Sequence, residues 1–286
     1  MIFSASRRTD LPAFFPDFLE GRIARSRKLE ALVFWTKDVR NLVRRPELAA
    51  VVERIPCLVQ FTATGLAGST WEPGTPQLAE QLPEIGELGR RLPRGAIVWR
   101  FDPIMPAAVD GADQKAINRL LDRFRRLRDV LAKSLAGLDG VTVSFPDPYR
   151  KAATRAAAAG LAWPVFSLEG KRRIIEAMVG EFSAAGAAPI RFCCEPELAG
   201  LPGTAAAACV DGPLLERLYG QPFSGLPRDA GQRPGCNCVK STDIGSYGMP
   251  CGHGCLYCYA NAAPAVPGRA VRETRGDGHA CSASGA

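Results

Sequence analysis

Six short apolar runs recur along the chain, and a segment with helical spacing follows most of them. The runs cover residues 2–6, 31–36, 57–62, 96–101, 141–145 and 189–194. Compact apolar runs of this kind are typical of strands buried in a parallel sheet. Alternation of strand and helix favours βα units wound in one direction. The sequence therefore predicts an α/β fold, and six units is the count of a partial (β/α)6 TIM-like barrel.

Four segments between the runs have the spacing of helices that bury one face. The clearest covers residues 112–135, where Ile117, Leu120 and Phe124 fall on one apolar stripe. Further helices are predicted at residues 168–185, 76–92 and 41–54. An open doubly wound sheet is the alternative for such a chain, but no GxGxxG motif follows the first run.

A change of composition beyond the last run divides the chain into four parts. Residues 1–197 form the predicted barrel, and residues 198–235 form a Gly/Ala/Pro-rich connection with a short helix at 211–219. Residues 236–261 form a cysteine-rich module that we expect to bind an iron–sulfur cluster. Residues 262–286 are small, polar and patternless, a composition that predicts a disordered tail.

Three cysteines near the end of the cysteine-rich module have the spacing CxxxCxxC. They are Cys251, Cys255 and Cys258, and Tyr257 precedes the last of them. Three thiolates in so short a loop can hold three irons of a 4Fe–4S cube. The fourth iron then has no protein ligand, so it can chelate a small molecule and transfer an electron to it. The motif therefore predicts a cluster with one open iron.

A structural zinc ion is the alternative for this motif. Zinc sites prefer four ligands, and His253 inside the loop would be the fourth. Disulfide bonds are disfavoured because residues 1–8 carry no apolar signal core, so we expect a cytoplasmic location. No stretch approaches the roughly 18 apolar residues of a membrane span, so no membrane contact is expected.

Five further cysteines are candidates for a second metal site. Cys193 and Cys194 end the sixth run, Cys209 follows it, and Cys236 and Cys238 precede the triad. One of the two adjacent cysteines would join the other three, and four thiolates suit a closed 4Fe–4S cluster or a zinc ion. The alternative is that Cys193 or Cys194 is a small core residue and Cys209 an inert thiol. The sequence thus predicts one cluster, or two.

Polar side chains lie at the C-terminal end of every predicted strand. In a barrel of parallel strands, the carboxyl ends of the strands build the active site. The candidate catalytic residues are charged and have aromatic or cysteine neighbours: Lys37, Arg100, Asp102 and Glu195. The candidate cofactor-binding residues at the same strands are Arg7, Arg8, Asp10, Gln60 and Ser144. The alternative is that strand ends are simply where the chain reaches water.

The charge balance of the chain is basic. It carries 36 basic and 29 acidic residues, which gives a formal charge of +7. Such an excess suits an anionic partner, either nucleic acid or a phosphorylated metabolite. Much of the excess lies at residues 119–128, where a solvated helix face explains it more simply. Charge therefore leaves an anionic substrate and nucleic acid open as partners.

Several sequence segments distributed along the chain carry a family resemblance. They are SASRRTD, FWTK, WRFDPI, CEP and CGHGCLYCYAN, within residues 1–261. Together they resemble a domain-of-unknown-function family that stands near the radical S-adenosylmethionine (SAM) superfamily. The segment CLYCYAN is also similar to the cluster loop of spore photoproduct lyase and its relatives. The resemblance implies SAM at the open iron, Tyr257 near its adenine, and a reducing partner such as flavodoxin or ferredoxin.

The implied cofactor sets requirements for its site. SAM is a zwitterion, so it needs a cation for its carboxylate and acceptors for its amine and ribose. The candidate cations are Arg7, Arg8, Lys37 and Arg100, and the candidate acceptors are Asp10, Asp102 and Glu195. We therefore expect a radical SAM enzyme that reductively cleaves SAM and abstracts hydrogen from an unknown substrate. The rival functions are a zinc-containing nucleic-acid-binding protein and an iron–sulfur electron-transfer protein.

Overall fold

The computed structural model describes residues 1–105, 114–184, 189–198, 200–233 and 235–261. Across these ranges the strands form one eight-stranded sheet in which every paired strand is parallel. The strands are β1 (Ile2–Ala5), β2 (Ala31–Thr36), β3 (Cys57–Thr62), β4 (Ile97–Phe101), β5 (Val141–Val143), β6 (Ile190–Phe192), β7 (Thr204–Ala206) and β8 (Thr242–Asp243). The predicted tail at 262–286 lies outside the described residues.

The strand order of the sheet is β7-β6-β5-β4-β3-β2-β1-β8. From β1 to β7 each strand lies beside its successor, whereas the order of a doubly wound sheet reverses at a switch point. The sheet is open, with β7 and β8 at its two edges. The predicted α/β fold with a parallel sheet is therefore confirmed, and the doubly wound alternative is not observed.

Each of the six predicted runs contains a strand, and two further strands were not predicted. The runs at 141–145 and 189–194 contain strands of only three residues. The additional strands β7 and β8 lie in the segments predicted as a connection and a cysteine-rich module. Their sequences, TAA and TD, offer no apolar run, so pairing with β6 and β1 defines them as strands.

Prolines determine where several helices begin. The predicted helix at 41–54 is split because Pro46 lacks an N–H donor and holds Arg45 in an extended conformation. The predicted helix at 76–92 starts as a 3-10 turn at Leu78–Gln81 and becomes α-helical at Leu82. The helices are α1 (Leu11–Phe14), α2 (Pro16–Ala24), α3 (Arg40–Arg44), α4 (Pro46–Arg54), α5 (Leu82–Arg91), α6 (Gln114–Ser134), α7 (Arg150–Ala158), α8 (Leu168–Ala184) and α9 (Gly212–Tyr219). Among them, none combines the length and the apolar composition that a membrane span needs.

An aromatic cluster fixes β4 against two helices. Trp99 stacks on Phe124 of α6 with ring centres 5.2 Å apart, and Phe124 lies 5.4 Å from Phe182 of α8. Phe101 meets the edge of the same Phe124 ring at 5.3 Å. Large buried aromatic side chains contribute strongly to core stability. The aromatic cluster therefore holds one face of β4 against the helices. The residue between Trp99 and Phe101 then points to the opposite face.

Replacing Phe124 by alanine tests the contribution of this cluster. The fully buried ring would leave a cavity, so we expect Phe124→Ala to lower the free energy of unfolding by about 3–5 kcal/mol. Urea denaturation followed by circular dichroism measures this change. Val130→Ala on the same helix is the control, since Val130 is 37% exposed and should change stability by less than about 0.5 kcal/mol. Equal losses in both variants would contradict the assignment of Phe124 to the core.

Candidate functional site

The two faces of the central strands differ in polarity. Alternation along β4 places Trp99 and Phe101 on the face packed against the helices, and Arg100 on the other face. Arg100 is buried there, donates a 3.3 Å hydrogen bond to the Gln60 side chain of β3, and lies 5.2 Å from the ring centre of Trp35. A buried charge needs partners, so this polar face indicates a functional site.

A cavity of about 550 Å³ lies at the carboxyl ends of the strands. Its wall includes eight of the ten cysteines: Cys193, Cys194, Cys209, Cys236, Cys238, Cys251, Cys255 and Cys258. Small-molecule sites commonly have volumes of roughly 300–1,000 Å³. The structure therefore brings both predicted cysteine groups to one cavity of suitable size.

Strand β8 delivers the C-terminal cysteines to this cavity. It pairs in parallel with β1, so that Asp243 stands opposite Ser4. The Asp243 carboxylate accepts hydrogen bonds from the Ser6 hydroxyl at 2.7 Å and from the Arg7 N–H at 2.9 Å. The chain that follows β8 therefore starts at the carboxyl edge of the sheet, where the cavity lies.

The cysteine loop, residues 251–258, packs against the segment that follows β3. Gly74 N–H donates to the His253 carbonyl at 3.0 Å, and Leu256 N–H donates to the Trp71 carbonyl at 3.0 Å. The two backbones approach so closely that a β-carbon at Gly74 would lie 2.2 Å from the Gly252 carbonyl oxygen. Only glycine fits at this position without moving the loop.

Arg155 of α7 holds the end of the cysteine loop. Its guanidinium donates to the carbonyls of Asn261 at 2.7 Å and Leu256 at 3.1 Å, and also to the carbonyl of Cys258. A planar cation with five donors suits several carbonyls at once. Helix α7 was not predicted, because its alanine-rich sequence RKAATRAAA shows no clear apolar stripe.

His253 is engaged by protein oxygens on both ring nitrogens. Its Nε2 lies 2.8 Å from the Asp10 carboxylate, and its Nδ1 lies 3.3 Å from the Gly74 carbonyl oxygen. The same Asp10 carboxylate accepts from the Thr36 hydroxyl at 3.0 Å and the Lys37 N–H at 2.8 Å. His253 is 2% exposed, so it braces the loop and has no nitrogen free for a metal ion.

The three cysteines of the loop differ in exposure but share the cavity wall. Cys255 is buried, whereas Cys251 and Cys258 are half-buried. Burial raises the pKa of Cys251 to about 12 and also raises the pKa of Cys255. In the part of the chain that the structure describes, no three His, Cys, Asp or Glu side chains are arranged to hold a metal ion as they stand. Metal binding would therefore require these thiols to lose protons and rotate.

A buried ion pair lies beside the cysteine loop. Lys37 Nζ is 3.0 Å from a carboxylate oxygen of Glu72, which also accepts hydrogen bonds from Thr64 and, at 2.6 Å, from the Tyr257 hydroxyl. Burial opposes the charge of Lys37, but attraction to Glu72 and Cys255 raises its pKa. Burial likewise opposes the charge of Glu72, whose pKa is nevertheless lowered by Lys37 and the two hydroxyls. Lys37 is thus a cation beside the triad.

Arg100 faces the second group of cysteines. Its Nη1 donates to the Cys209 sulfur at 2.9 Å, and its Nη2 donates to Asp102, which also accepts from the Ser144 hydroxyl. Burial opposes the charge of Arg100, but the nearby Cys209 and Asp102 raise its pKa. The predicted residues Arg100, Asp102 and Ser144 therefore form one connected group at the cavity wall.

Most of the predicted site residues line the cavity, and two do not. Those in its wall are Arg7, Arg8, Asp10, Lys37, Arg100, Asp102, Ser144 and Tyr257. Gln60 lies beneath the wall, where its side-chain amide donates to the Cys209 carbonyl at 2.8 Å. Glu195 accepts from the Phe145 N–H at 2.7 Å and pairs with Lys171 at 3.0 Å. Both residues contact the surroundings of the cavity and do not face it.

Sequence reasoning missed two acidic residues of the site, Glu72 and Asp243. Glu72 lies between Trp71 and Pro73 in a loop without apolar periodicity, and its partners are distant in sequence. The sequence signal that could have indicated Glu72 was a single acidic residue beside a tryptophan. Asp243 belongs to a strand of two residues, and no sequence pattern marks it.

Comparison with known proteins identifies the family of the chain. A family model described as a domain of unknown function, DUF1848, matches residues 23–260. That span is well over half of the 286 residues and contains both cysteine groups, so the chain belongs to this family. No curated protein and no solved structure matches the chain. The predicted membership of a domain-of-unknown-function family is confirmed, and the relation to radical SAM enzymes stays a prediction.

Replacing Gly74 by alanine tests the close approach to the cysteine loop. The added β-carbon would displace the Gly252 carbonyl, so we expect the buried Cys255 thiol of metal-free protein to be alkylated several-fold faster. Iodoacetamide labelling followed by mass spectrometry measures the rate. Gly180→Ala on α8 is the control, because no atom outside its own helix backbone and chain neighbours lies within 4 Å of its new β-carbon. Identical Cys255 rates in the two variants would contradict the contact.

The ion pair of Lys37 and Glu72 predicts a dependence of stability on pH. We expect Glu72→Gln to lower the free energy of unfolding by about 3 kcal/mol at pH 7, because a buried ammonium loses its partner. The pKa of Glu72 is lowered from 4.5, so its contribution is complete above that pH and is lost as the pH falls through the lowered value. Denaturant titrations at several pH values measure the gap to wild type. The control is Glu53→Gln at an exposed ion pair, which should change the free energy of unfolding little. If the stability difference between Glu72→Gln and wild type persisted in acid, the ion pair would not be its cause.

Proposed function

We propose that this member of the DUF1848 family is an iron–sulfur enzyme of radical SAM type. Cys251, Cys255 and Cys258 would hold a 4Fe–4S cluster at the cavity wall. When bound, such a cluster supplies an electron for the reductive cleavage of SAM through an iron that has no protein ligand. The remaining cavity volume would hold SAM and a substrate whose hydrogen is abstracted.

The observation that carries the proposal is the engagement of His253. A zinc site in the loop would need a fourth ligand, and His253 was the candidate within the loop. Both of its ring nitrogens face oxygen atoms of Asp10 and Gly74. The loop therefore offers three soft thiol ligands and no fourth, and all three line a cavity large enough for a small molecule. This donor set suits a cluster with an open iron better than a structural zinc ion.

The residues around the loop support a site for SAM. Lys37 is a cation in the cavity wall beside Cys255 and can meet a carboxylate. Tyr257 lies in the same wall with its hydroxyl held by Glu72 and Lys37 Nζ 5.7 Å from its ring centre, and a base would meet this ring. Glu72 thus positions both groups. Among the acidic residues predicted for the amine, Asp102 and Asp10 both line the cavity; Arg100 and Ser144 already donate to Asp102, and His253 contacts Asp10.

The winding of the sheet also supports the proposal. Six βα units in sequential order are the arrangement of a partial (β/α)6 barrel, and such folds place their sites at the carboxyl ends of the strands. The cavity lies at that edge. An external donor of single electrons, flavodoxin or ferredoxin, would complete the reaction.

Removing the triad tests the proposal through iron content and product. We expect the triple variant Cys251→Ala/Cys255→Ala/Cys258→Ala, reconstituted anaerobically, to lose about four irons relative to wild type. Dithionite-reduced wild type should release 5′-deoxyadenosine from SAM, and the triple variant should release none. Lys37→Gln should keep its iron but bind SAM more weakly. Iron analysis, chromatography of the product and calorimetry with SAM measure these changes.

Cys57→Ala is the matched control, because Cys57 is a buried thiol of β3 outside both cysteine groups. It should retain both iron and product. A colourless wild-type protein containing zinc would contradict the proposal and favour a zinc-containing nucleic-acid-binding protein. A fully loaded cluster that neither binds nor cleaves SAM would favour simple electron transfer.

A further inference from the structure

Five thiols outside the triad converge on the other part of the cavity wall. Cys193 and Cys194 follow β6, Cys209 follows β7, and Cys236 and Cys238 precede β8. Three chain segments that are distant in sequence therefore meet at one place. Structural thiols of a hydrophobic core have no reason to gather in this number at a cavity, so the group points to a soft metal ligand.

Short contacts link four of the five cysteines. The sulfurs of Cys193 and Cys209 are 3.6 Å apart. The Cys209 N–H donates to the Cys238 sulfur at 3.2 Å, and the Cys238 N–H donates to the Cys236 sulfur at 3.5 Å. These four cysteines therefore form one connected group.

The backbone at Cys194 contributes to this convergence. Its φ of 59° lies in the left-handed region, which costs a residue other than glycine roughly 1 kcal/mol or more. Consecutive residues of an extended strand point to opposite faces. The turn at Cys194 instead brings its thiol beside that of Cys193, so that both face the cavity.

Hydrogen-bond donors and cations surround the five thiols. The N–H groups of Cys209 and Val210 donate to the Cys238 sulfur at 3.2 and 3.3 Å. Arg100 donates to the Cys209 sulfur at 2.9 Å. These are the interactions that stabilise thiolates and the negative charge of an iron–sulfur cluster.

A single zinc ion is the alternative occupant of this group. Thiolates around one zinc lie within roughly 3.8 Å of one another, given Zn–S bonds of about 2.3 Å in a tetrahedron. The sulfurs of Cys193 and Cys209, 3.6 Å apart, meet that separation. A cube holds its thiolates farther apart, so these two thiols would move apart when a cluster binds.

We infer that Cys193, Cys209, Cys236 and Cys238 hold a second 4Fe–4S cluster facing the same cavity, and that Cys194 stays outside the ligand set. Cys193 is chosen over Cys194 because its sulfur lies 3.6 Å from that of Cys209. Four thiolates leave no open iron, so this cluster would differ from the one proposed at the triad. The inference uses none of the triad residues and stands independently of the proposed function.

Iron content in matched variants tests the second site. Anaerobically reconstituted wild type should hold about eight irons, and the triad triple variant should keep about four. Cys209→Ala/Cys238→Ala should also hold about four, whereas Cys194→Ala and the control Cys57→Ala should hold about eight. Iron and sulfide analysis gives the counts, and circular dichroism confirms that each variant is folded.

The outcomes separate this inference from the proposed function. A wild-type total near four, with an iron-free triad variant, would overturn the second cluster and leave the proposed function intact. A triad variant that keeps all the iron would contradict the proposed function but not the second cluster. Zinc at this site in place of iron, or loss of about four irons in Cys194→Ala, would overturn the inference as stated.

The environment of Arg100 supplies a second measurement, in case the double cysteine variant does not fold. In the triad triple variant, only the second cluster would remain visible. A cation beside a cluster stabilises its reduced, more negative form. We therefore expect Arg100→Gln to lower the midpoint potential of this cluster and Arg100→Lys to lower it less, as measured by redox titration with electron paramagnetic resonance. An unchanged midpoint in Arg100→Gln would overturn the placement of a cluster beside Arg100.

Discussion

The parallel pairing of β8 with β1 is the constraint on which the candidate site depends. Two residue pairs and the Asp243 carboxylate, which accepts from Ser6 and Arg7, attach the C-terminal module to the first strand of the sheet. The loop that follows β8 then starts at the carboxyl edge and reaches the segment after β3, against which it packs. The cysteine motif, which follows all eight strands in sequence, is thereby placed at the carboxyl ends of the first four strands of the chain.

Charge explains how two groups of thiols can face one cavity. Each group has a cation beside it, Lys37 directly after β2 next to the triad and Arg100 of β4 next to the second group. Each cation is in turn held by a carboxylate, Glu72 or Asp102. A cluster with thiolate ligands is negatively charged, and a nearby fixed cation stabilises it in a site of low dielectric constant. The polar face of the sheet is therefore suited to anionic centres.

Much of the sheet and part of the site could be predicted from sequence because they depend on local patterns. Compact apolar runs revealed β1 to β6, and Lys37 and Arg100 were visible as charges among aromatic neighbours. The rest depends on contacts between distant residues. Glu72 meets Tyr257 across 185 positions, and β8 has only two residues. His253 could be read as a zinc ligand until the structure showed Asp10 and Gly74 at its nitrogens.

The cysteine loop presents three thiols, and no fourth ligand of its own, to a cavity that it shares with the second group. Diffraction from crystals grown anaerobically, collected on both sides of the iron absorption edge, would show whether these thiols hold a cluster. We expect an anomalous iron peak contacted by Cys251, Cys255 and Cys258, with His253 still bound to Asp10. A peak at the zinc edge with His253 as a ligand, or reduced cysteines without any metal, would contradict it.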